Sequence, residues 1–162
     1  FTTSVIEKDI LKDKFFGIKS VPLNHEEVVN NIINKCTINQ QSVAIKKSDL
    51  LAKGSYITWF CNEDYFLWIR MLLQYPRAKV KTSPYPLVTS NRDANSSKRR
   101  GGLKYFFSET AIQCYLYSIG SKTLLDTIKS ITLRFAIQVF LPNRIRTYIY
   151  FIYRKIDNAR KI

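Results

Sequence analysis

The chain is poor in the residues that build covalent or metal cross-links. Its 162 residues include three cysteines, one histidine and one methionine. An odd number of cysteines without a C-x-x-C pair argues against a disulfide framework or a structural zinc site. We interpret Cys36, Cys61 and Cys114 as reduced thiols in a cytoplasmic protein. The single histidine begins His25-Glu26-Glu27 and lacks the second histidine of H-E-x-x-H, which excludes a zinc protease.

The sequence also lacks a long uncharged run. The longest stretch without a charged side chain, Thr110 to Ser121, has about twelve residues, whereas a membrane-spanning helix needs roughly 20 apolar ones.

Negative charge is scarce in the second half of the chain. Residues 1–75 carry nine Lys/Arg against eight Asp/Glu, but residues 76–162 carry seventeen against four. Such a basic half attracts polyanions, either nucleic acid or an anionic membrane leaflet.

The local patterns predict alternating strands and helices followed by a helical region. Strands are expected at 1–6, 15–21, 41–45 and 78–82, and helices after Asn24, at 47–53 and at 62–74. Residues 83–102, which contain two prolines and a Gly-Gly pair, are expected to form a loop. Three further helices are expected at 103–118, 121–140 and 143–158. Because the chain begins with Phe1, we expect it to be a fragment, a processed product or a trimmed form of a longer protein.

Five segments together resemble glycosyltransferase family 2. The segment Glu63-Asp64-Tyr65-Phe66-Leu67-Trp68-Ile69-Arg70 resembles the family signature E-D-Y-x-L-W-x-R. Four other segments follow the family in the same order: Val21-Pro22-Leu23-Asn24-His25-Glu26-Glu27 (V-P-L-x-H-E-E), Ser42-Val43-Ala44-Ile45-Lys46-Lys47-Ser48 (T-V-M-F-R-K-S), Tyr85-Pro86-Leu87-Val88 (E-P-L-V) and Lys98-Arg99-Arg100-Gly101-Gly102-Leu103-Lys104-Tyr105 (K-R-R-G-G-L-K-Y).

The resemblance implies a GT-A fold and transfer of a sugar from a nucleotide-sugar to an acceptor hydroxyl. In inverting members the aspartate of the E-D pair is the general base, a position held here by Asp64 next to Glu63. A carboxylate placed there can take the proton of the attacking hydroxyl, and the N-terminal end of a helix favours its ionised form. The alternative is that the pair only stabilises the start of a helix. The resemblance also implies a divalent cation, Mn²⁺ or Mg²⁺, in the full-length enzyme. The family's D-x-D motif that would hold it is absent from this chain, and we interpret Glu7-Lys8-Asp9 as a solvated turn.

Several positions are candidates for acceptor binding. Where the family has N-H-P, this chain has Asn39 followed by Gln40 and Gln41, and where the family has Y-Y-R or R-x-H it has Arg92. The aromatic residues around the E-D pair either pack in the core or form a platform for a sugar, and Trp68 lies one helical turn from Asp64. The acceptor-binding candidates are therefore Trp68, Gln40, Gln41 and Arg92.

The basic residues of the second half are candidates for binding phosphate or a membrane surface. Lys98, Arg99 and Arg100 either form a solvated loop or bind phosphate. Arg144 and Arg146 begin a series of basic residues interleaved with tyrosine and phenylalanine, a pattern typical of a helix at a membrane interface. Each basic residue near an anionic leaflet contributes on the order of 1 kcal/mol.

We therefore predict an α/β chain in two parts. Residues 1–97 are expected to be the C-terminal part of a GT-A nucleotide-diphospho-sugar transferase domain, and residues 98–162 a basic amphipathic helical extension on a membrane surface. The expected activity is sugar transfer to a glycan or lipid-linked acceptor during cell-surface polysaccharide synthesis, at the inner face of the cytoplasmic membrane. Two alternatives remain: a catalytically inactive remnant without the nucleotide-binding half, and a nucleic-acid-binding module indicated by charge alone. We expect no nucleic acid partner.

Overall fold

The computed structural model describes residues 1–9, 13–75, 78–91, 99–149 and 152. Its described strands form one mixed sheet in the order β2-β1-β3. Strand β1 (Thr2–Asp9) is central, β2 (Lys14–Lys19) pairs with it antiparallel and β3 (Thr82–Asn91) pairs with it parallel. The first two predicted strands are confirmed, although β1 extends through residues 7–9, which we expected to be a turn.

The structure contradicts the predicted loop at 83–102, because β3 occupies its first half. The register of β3 against β1 shifts between Thr3 and Val5, whose partners are Ser83 and Val88. Pro84 and Pro86 lie within this shift, where a missing backbone N–H removes no ladder hydrogen bond. The Thr3 hydroxyl accepts a hydrogen bond from the Leu87 N–H at 3.1 Å and so bridges the irregular part. The two prolines therefore mark an irregular strand rather than a loop, and of the strand expected at 78–82 only its last residue belongs to β3.

The strand expected at 41–45 is also wrong. Residues Gln40–Ser42 form a 3-10 turn instead. The buried Ser42 hydroxyl donates to the Thr3 carbonyl oxygen at 2.8 Å and accepts from the Thr3 N–H at 3.2 Å. Side-chain hydrogen bonds thus attach this segment to β1 without a ladder. The turn brings Gln40 and Gln41 to the end of the sheet.

Three helices pack around one hydrophobic core next to the sheet. They are α1 (His25–Ile32), α3 (Glu63–Leu73) and α4 (Leu103–Ser118), while the short α2 (Lys47–Ala52) packs its partly buried Leu50 against the edge of this core. Fully buried apolar side chains from all three meet in this core: Val28, Ile32, Leu67, Ile69, Ile112 and Leu116. Burying such side chains is the main favourable term in folding.

The expected boundary at 97–98 lies outside the described residues. The first helix after it, α4, contributes Ile112 and Leu116 to the same core as α3. Helix α5 (Leu124–Phe135) follows, with Thr123 as its N-cap accepting from the Asp126 N–H at 3.1 Å. The helix predicted at 121–140 is thus shorter, and a π-helical turn, Ala136–Phe140, ends it. Residues 143–149 are helical again.

Candidate functional site

The first turn of α3 presents two acidic side chains at the surface of the core. Glu63 and Asp64 are its first two residues; Glu63 is exposed and Asp64 is partly buried. The Asp64 Oδ1 accepts a hydrogen bond from the Tyr65 N–H at 2.8 Å. Asn62, just before the helix, donates its side-chain amide to the Ser108 hydroxyl of α4 at 2.9 Å. Contacts to α4 therefore hold the start of α3 in place.

The pKa of Asp64 is raised above its usual value, and burial is the main cause. The hydrogen bond from the Tyr65 N–H opposes this rise, the charge of Glu63 adds to it, and Lys19 and Arg100 oppose it. The helix terminus, which we expected to favour the ionised carboxylate, is therefore outweighed by burial. Burial makes Asp64 a stronger base than an exposed aspartate, which favours proton transfer when it is ionised.

The remaining residues of the E-D-Y-F-L-W-I-R segment have structural roles. The Tyr65 hydroxyl donates to the Ile32 carbonyl oxygen of α1 at 2.6 Å. The Arg70 guanidinium donates to the Lys53 carbonyl oxygen at 2.9 Å and also to that of Ser55, so it holds the turn after α2. Hence the segment mainly builds the core and a turn, and Glu63, Asp64 and Tyr65 are its members that line the clefts described next.

A cleft of about 490 Å³ lies between Asp64 and the ends of the strands. We call it the strand cleft. Both predicted glutamines line it, together with Glu63 and Arg99. It is bounded by residues of β1, β2, β3, the 3-10 turn and the Arg99–Arg100 segment: Glu7, Lys19, Asn39, Gln40, Gln41, Tyr56, Cys61, Glu63, Asp64, Ser90, Asn91, Arg99 and Arg100. Its volume is in the range of small-molecule sites.

A second cleft of about 400 Å³ lies on the other side of Asp64, between α1 and the C-terminal helices. We call it the helical cleft. Lys35 and Cys36 follow α1 at one wall, and Tyr105, Glu109 and Arg134 form the opposite wall. The two clefts share four lining residues: Lys19, Cys61, Asp64 and Arg100. Asp64 therefore faces both.

A buried ion pair shapes the wall of the helical cleft. The Arg134 Nε on α5 donates to the Glu109 Oε2 on α4 at 2.8 Å. The second carboxylate oxygen, Oε1, accepts from the Tyr105 hydroxyl at 3.1 Å. Arg134 also donates to the Asn34 carbonyl oxygen at 3.0 Å and to that of Ser130 at 3.3 Å. This network joins α4, α5 and the segment after α1, and it fixes the guanidinium as a structural element of the wall.

The structure places Trp68 away from the two clefts. Its side chain is 3% exposed, belongs to the core cluster and lines a separate apolar cavity of about 70 Å³. Core packing, one of the two interpretations left open for the aromatic residues, thus describes Trp68, and the structure does not support its assignment to the acceptor site. Trp59 stacks on Phe66 with ring centroids 4.8 Å apart, and Phe66 contacts Tyr115 of α4 at 4.7 Å.

The predicted basic residues fall in three places. Arg99 and Arg100 line the clefts, and Arg92 and Lys98 lie outside the described residues. Arg144 is exposed. Arg146 instead donates to the Gln138 carbonyl oxygen at 2.9 Å, so it serves the packing of the helices.

The Gly101–Gly102 pair explains how Arg99 and Arg100 are held. The Gly102 N–H donates to the Gln138 carbonyl oxygen at 3.0 Å. A Cβ atom on Gly101 would lie 1.5 Å from Nη1 of Arg146, so a side chain here would displace that guanidinium. The π-helical turn and the following helix therefore position the arginines that precede this pair.

Sequence reasoning missed several lining residues. Glu109 and Arg134 come together only through the packing of α4 on α5, 25 positions apart. One available signal was that Glu109 is the sole acidic residue in α4. Tyr105 ends the segment that resembles K-R-R-G-G-L-K-Y, whereas Lys19 and Lys35 offered no comparable pattern.

The described part of the chain shows neither a metal-binding cluster nor a membrane-spanning helix. Residues 1–9, 13–75, 78–91, 99–149 and 152 contain no group of three His, Cys, Asp or Glu side chains that could hold a metal ion. None of the helices in these same ranges is long and apolar enough to cross a bilayer.

Three curated glycosyltransferases are similar to this chain. UDP-Gal:alpha-D-GlcNAc-diphosphoundecaprenol beta-1,3-galactosyltransferase of Escherichia coli is 31% identical over 133 residues, which cover 82% of this chain and 47% of that protein. An uncharacterized glycosyltransferase of Haemophilus influenzae is 26% identical over 82% of this chain and 48% of its own length. An amylovoran biosynthesis glycosyltransferase of Erwinia amylovora is 27% identical over 65% of this chain and 38% of its own length.

The chain spans about half the length of the first two of these relatives. No protein-family profile matches it, and no solved structure matches it. The similarity to three glycosyltransferases over most of this chain supports a glycosyltransferase family. It favours neither an inactive remnant nor a nucleic-acid-binding module.

Proposed function

We propose that this chain is the acceptor and catalytic-base part of an inverting glycosyltransferase of family 2, with a GT-A fold in its complete form. The observation that carries the proposal is the position of Asp64 at the junction of two clefts, on the segment that resembles the family's E-D motif. The relatives with glycosyltransferase names support the same activity. The whole protein would transfer a sugar from a nucleotide-sugar to a lipid-linked or glycan acceptor in cell-surface polysaccharide synthesis.

In the proposed reaction, an acceptor hydroxyl oxygen attacks the anomeric carbon of the donor sugar. A new C–O bond forms while the bond between that carbon and the nucleotide diphosphate breaks, and the diphosphate leaves with the electron pair. The hydroxyl proton moves to an oxygen of Asp64, whose raised pKa suits it to this transfer. Glu63, exposed at the same helix start, adds negative charge that raises the pKa of Asp64 further.

The strand cleft is the proposed place of transfer. Gln40 and Gln41 line it with donor and acceptor groups that suit sugar hydroxyls. Arg99 and Arg100 reach the same cleft and provide guanidinium groups for phosphate. Arg92 is proposed as a further acceptor contact by resemblance alone. Trp68 does not line this cleft, because its ring is buried in the core.

A divalent cation, Mn²⁺ or Mg²⁺, is proposed for the full-length enzyme by resemblance. Glu7, Glu63 and Asp64 line the strand cleft, but the described residues contain no group of three His, Cys, Asp or Glu side chains that fits the ion. Its ligands are therefore expected outside this chain. When bound, such a cation would neutralise the charge of the leaving diphosphate.

The C-terminal helices are the proposed contact with an anionic membrane leaflet at the inner face of the cytoplasmic membrane. Several large apolar side chains there are more than half exposed, among them Leu125 at 69% and Phe140 at 71%. Exposed apolar side chains next to basic residues such as Lys129 and Arg144 are typical of a membrane-surface helix. Full-length protein should sediment with vesicles that contain anionic lipid, and neither with neutral vesicles nor with duplex DNA. Sedimentation with DNA alone would contradict this assignment.

The test of the activity is transfer of a radiolabelled sugar by the full-length protein into lipid-extractable product. Donors would be a panel of UDP-sugars, and the acceptor would be a membrane extract containing lipid-linked sugars. We expect product from the wild type and none from Asp64→Asn. The matched control is Asp49→Asn, which makes the same change at an exposed residue in the first turn of α2 and should retain transfer. Retained transfer by Asp64→Asn would move the base to another residue.

A further inference from the structure

Tyr56 is the one aromatic residue that lines the strand cleft in the part of the chain that the structure describes. It is 39% exposed. The other aromatic side chains near the start of α3 pack on one another, since Trp59 stacks on Phe66 and Phe66 contacts Tyr115. Tyr56 belongs to none of the ring pairs found in the described ranges. Its ring is therefore an aromatic surface at the cleft that no described ring covers.

The turn after α2 fixes the backbone at Tyr56. Gly54 and Ser55 both have positive φ angles, 82° and 50°, and a non-glycine residue in this region is uncommon. The Arg70 guanidinium holds the turn by donating to the carbonyl oxygens of Lys53 and Ser55. Such a conformation persists where the surrounding contacts over-determine it. Because Arg70 belongs to α3, the helix that begins with the acidic pair also positions Tyr56.

A hydrogen bond fixes the other end of the Tyr56 side chain. The Gln40 Nε2 donates to the Tyr56 hydroxyl at 2.5 Å. The ring therefore lies between the turn after α2 and the 3-10 turn that carries Gln40, and both residues line the cleft. The hydroxyl keeps its own proton as a donor, and the Gln40 carbonyl oxygen remains an acceptor. A side chain held at both ends loses little conformational freedom when a ligand binds.

The groups around Tyr56 match the surface of a pyranose ring, which presents C–H groups on its faces and hydroxyl groups at its rim. An aromatic face carries partial negative charge and suits C–H groups. The amides of Gln40 and Gln41 and the hydroxyl of Ser90 suit the rim. A nucleobase also stacks on aromatic rings, but it has no hydroxyl from which Asp64, in the same cleft, could take a proton. The combination therefore favours a sugar.

We infer that Tyr56 is the platform for the acceptor sugar, with its ring packed against a C–H face of a pyranose and its hydroxyl orienting the Gln40 amide toward the sugar hydroxyls. The inference rests on the proposed function and adds the residue that selects a closed sugar ring. It assigns to the turn after α2 the aromatic contact that we expected from Trp68. A cleft with this contact should bind pyranosides and discriminate against open-chain polyols, which have the same hydroxyls but no flat C–H face.

The experiment measures binding of neutral sugars to the full-length protein by saturation-transfer NMR titration. The probes are the methyl pyranosides of glucose, galactose, mannose and their 2-acetamido derivatives, with glucitol as the open-chain comparison and UDP as a second ligand. We expect the wild type to bind at least one pyranoside and not glucitol. For the pyranoside bound most tightly, Tyr56→Ala should weaken binding by about tenfold, the loss of one aromatic contact. Tyr56→Phe keeps the ring and should stay within about threefold of the wild type.

Ile57→Ala is the matched control, because Ile57 is the exposed neighbour of Tyr56 and lines neither cleft. It should bind the pyranoside as the wild type does, and UDP binding should be the same in all variants. The inference is overturned if no pyranoside binds the wild type, if Tyr56→Ala binds as tightly as Ile57→Ala, or if Tyr56→Phe loses as much as Tyr56→Ala. Weaker UDP binding by Tyr56→Ala would assign the ring to the nucleotide and overturn it as well.

Failure of the proposed function is detected separately, because these titrations need no turnover. If pyranoside binding depends on Tyr56 but the wild type transfers no sugar, the cleft is a sugar-binding site and the proposed activity is wrong. If the wild type transfers sugar while pyranoside binding does not depend on Tyr56, the activity stands and the platform is wrong.

Discussion

The ion pair between Glu109 and Arg134 should contribute strongly to stability, because neither partner is well solvated. The exposed fractions of the two side chains are 10% for Glu109 and 18% for Arg134. Arg134→Met removes the ion pair and the hydrogen bonds to Asn34 and Ser130. It leaves the Glu109 carboxylate buried, with the Tyr105 hydroxyl still donating to it. Breaking a buried pair from one side costs about 3–5 kcal/mol. We expect a loss of this size in the free energy of unfolding, measured by urea titration.

Two controls separate burial from simple charge removal. The double variant Glu109→Met/Arg134→Met leaves no unpaired charge and should recover most of the loss, since replacing a buried pair by apolar side chains is often close to neutral. Asp13→Asn removes the exposed partner of Lys8, 2.5 Å away, and should have no measurable effect. A cost below about 1 kcal/mol for Arg134→Met, as for a surface pair, would refute the described packing of α4 on α5.

Three further outcomes follow from the core and its ionisable groups. Burial raises the pKa of Asp64, so folding favours the protonated carboxyl. The stability that protonated Asp64 contributes is present below the unfolded pKa of 3.8 and is lost as pH rises through the folded pKa. Asp64→Asn should therefore melt at a higher temperature than the wild type at pH 7, and the difference should shrink toward about pH 4. Tyr65→Phe removes the hydrogen bond to the buried Ile32 carbonyl oxygen and should lower the free energy of unfolding by about 1–3 kcal/mol in urea titration; no change would contradict that bond. Burial raises the pKa of the Cys36 thiol to about 12, so iodoacetamide at neutral pH should label the exposed Cys114 and spare Cys36 in peptide mapping.

Local sequence patterns were sufficient where one helix face or one cap decides the structure. The helix at Glu63–Leu73 was predicted because acidic residues precede an apolar stretch that ends before Pro76. Local sequence patterns were insufficient where hydrogen bonds from distant residues decide the structure of a segment. Strand β3 contains two prolines and forms because Thr3, more than eighty positions earlier, bridges its irregular part. Similarly, Ser42 bonds to β1 and replaces the expected strand by a turn.

In the candidate site, too, some residues could be predicted from local sequence and others depend on contacts between distant elements. Asp64 and its neighbour were identified from a resembling segment, and Gln40, Gln41, Arg99 and Arg100 were found at the clefts. The helical cleft could not be predicted, because its wall exists only when α4 and α5 pack together. Trp68 was predicted for the acceptor site, but its ring lies in the core, and its spacing from Asp64 along the helix does not reveal which helix face is buried.

The central claim is that Asp64 removes the proton from the acceptor hydroxyl, and single-turnover transfer tests it most directly. The full-length Asp64→Asn protein would be compared with Asp49→Asn at saturating donor and acceptor, with UDP affinity measured on the same preparations. The account predicts that Asp64→Asn slows the transfer step by about 10²–10⁴-fold with unchanged UDP affinity, while Asp49→Asn transfers at the wild-type rate. Transfer by Asp64→Asn within a few-fold of the control would contradict it.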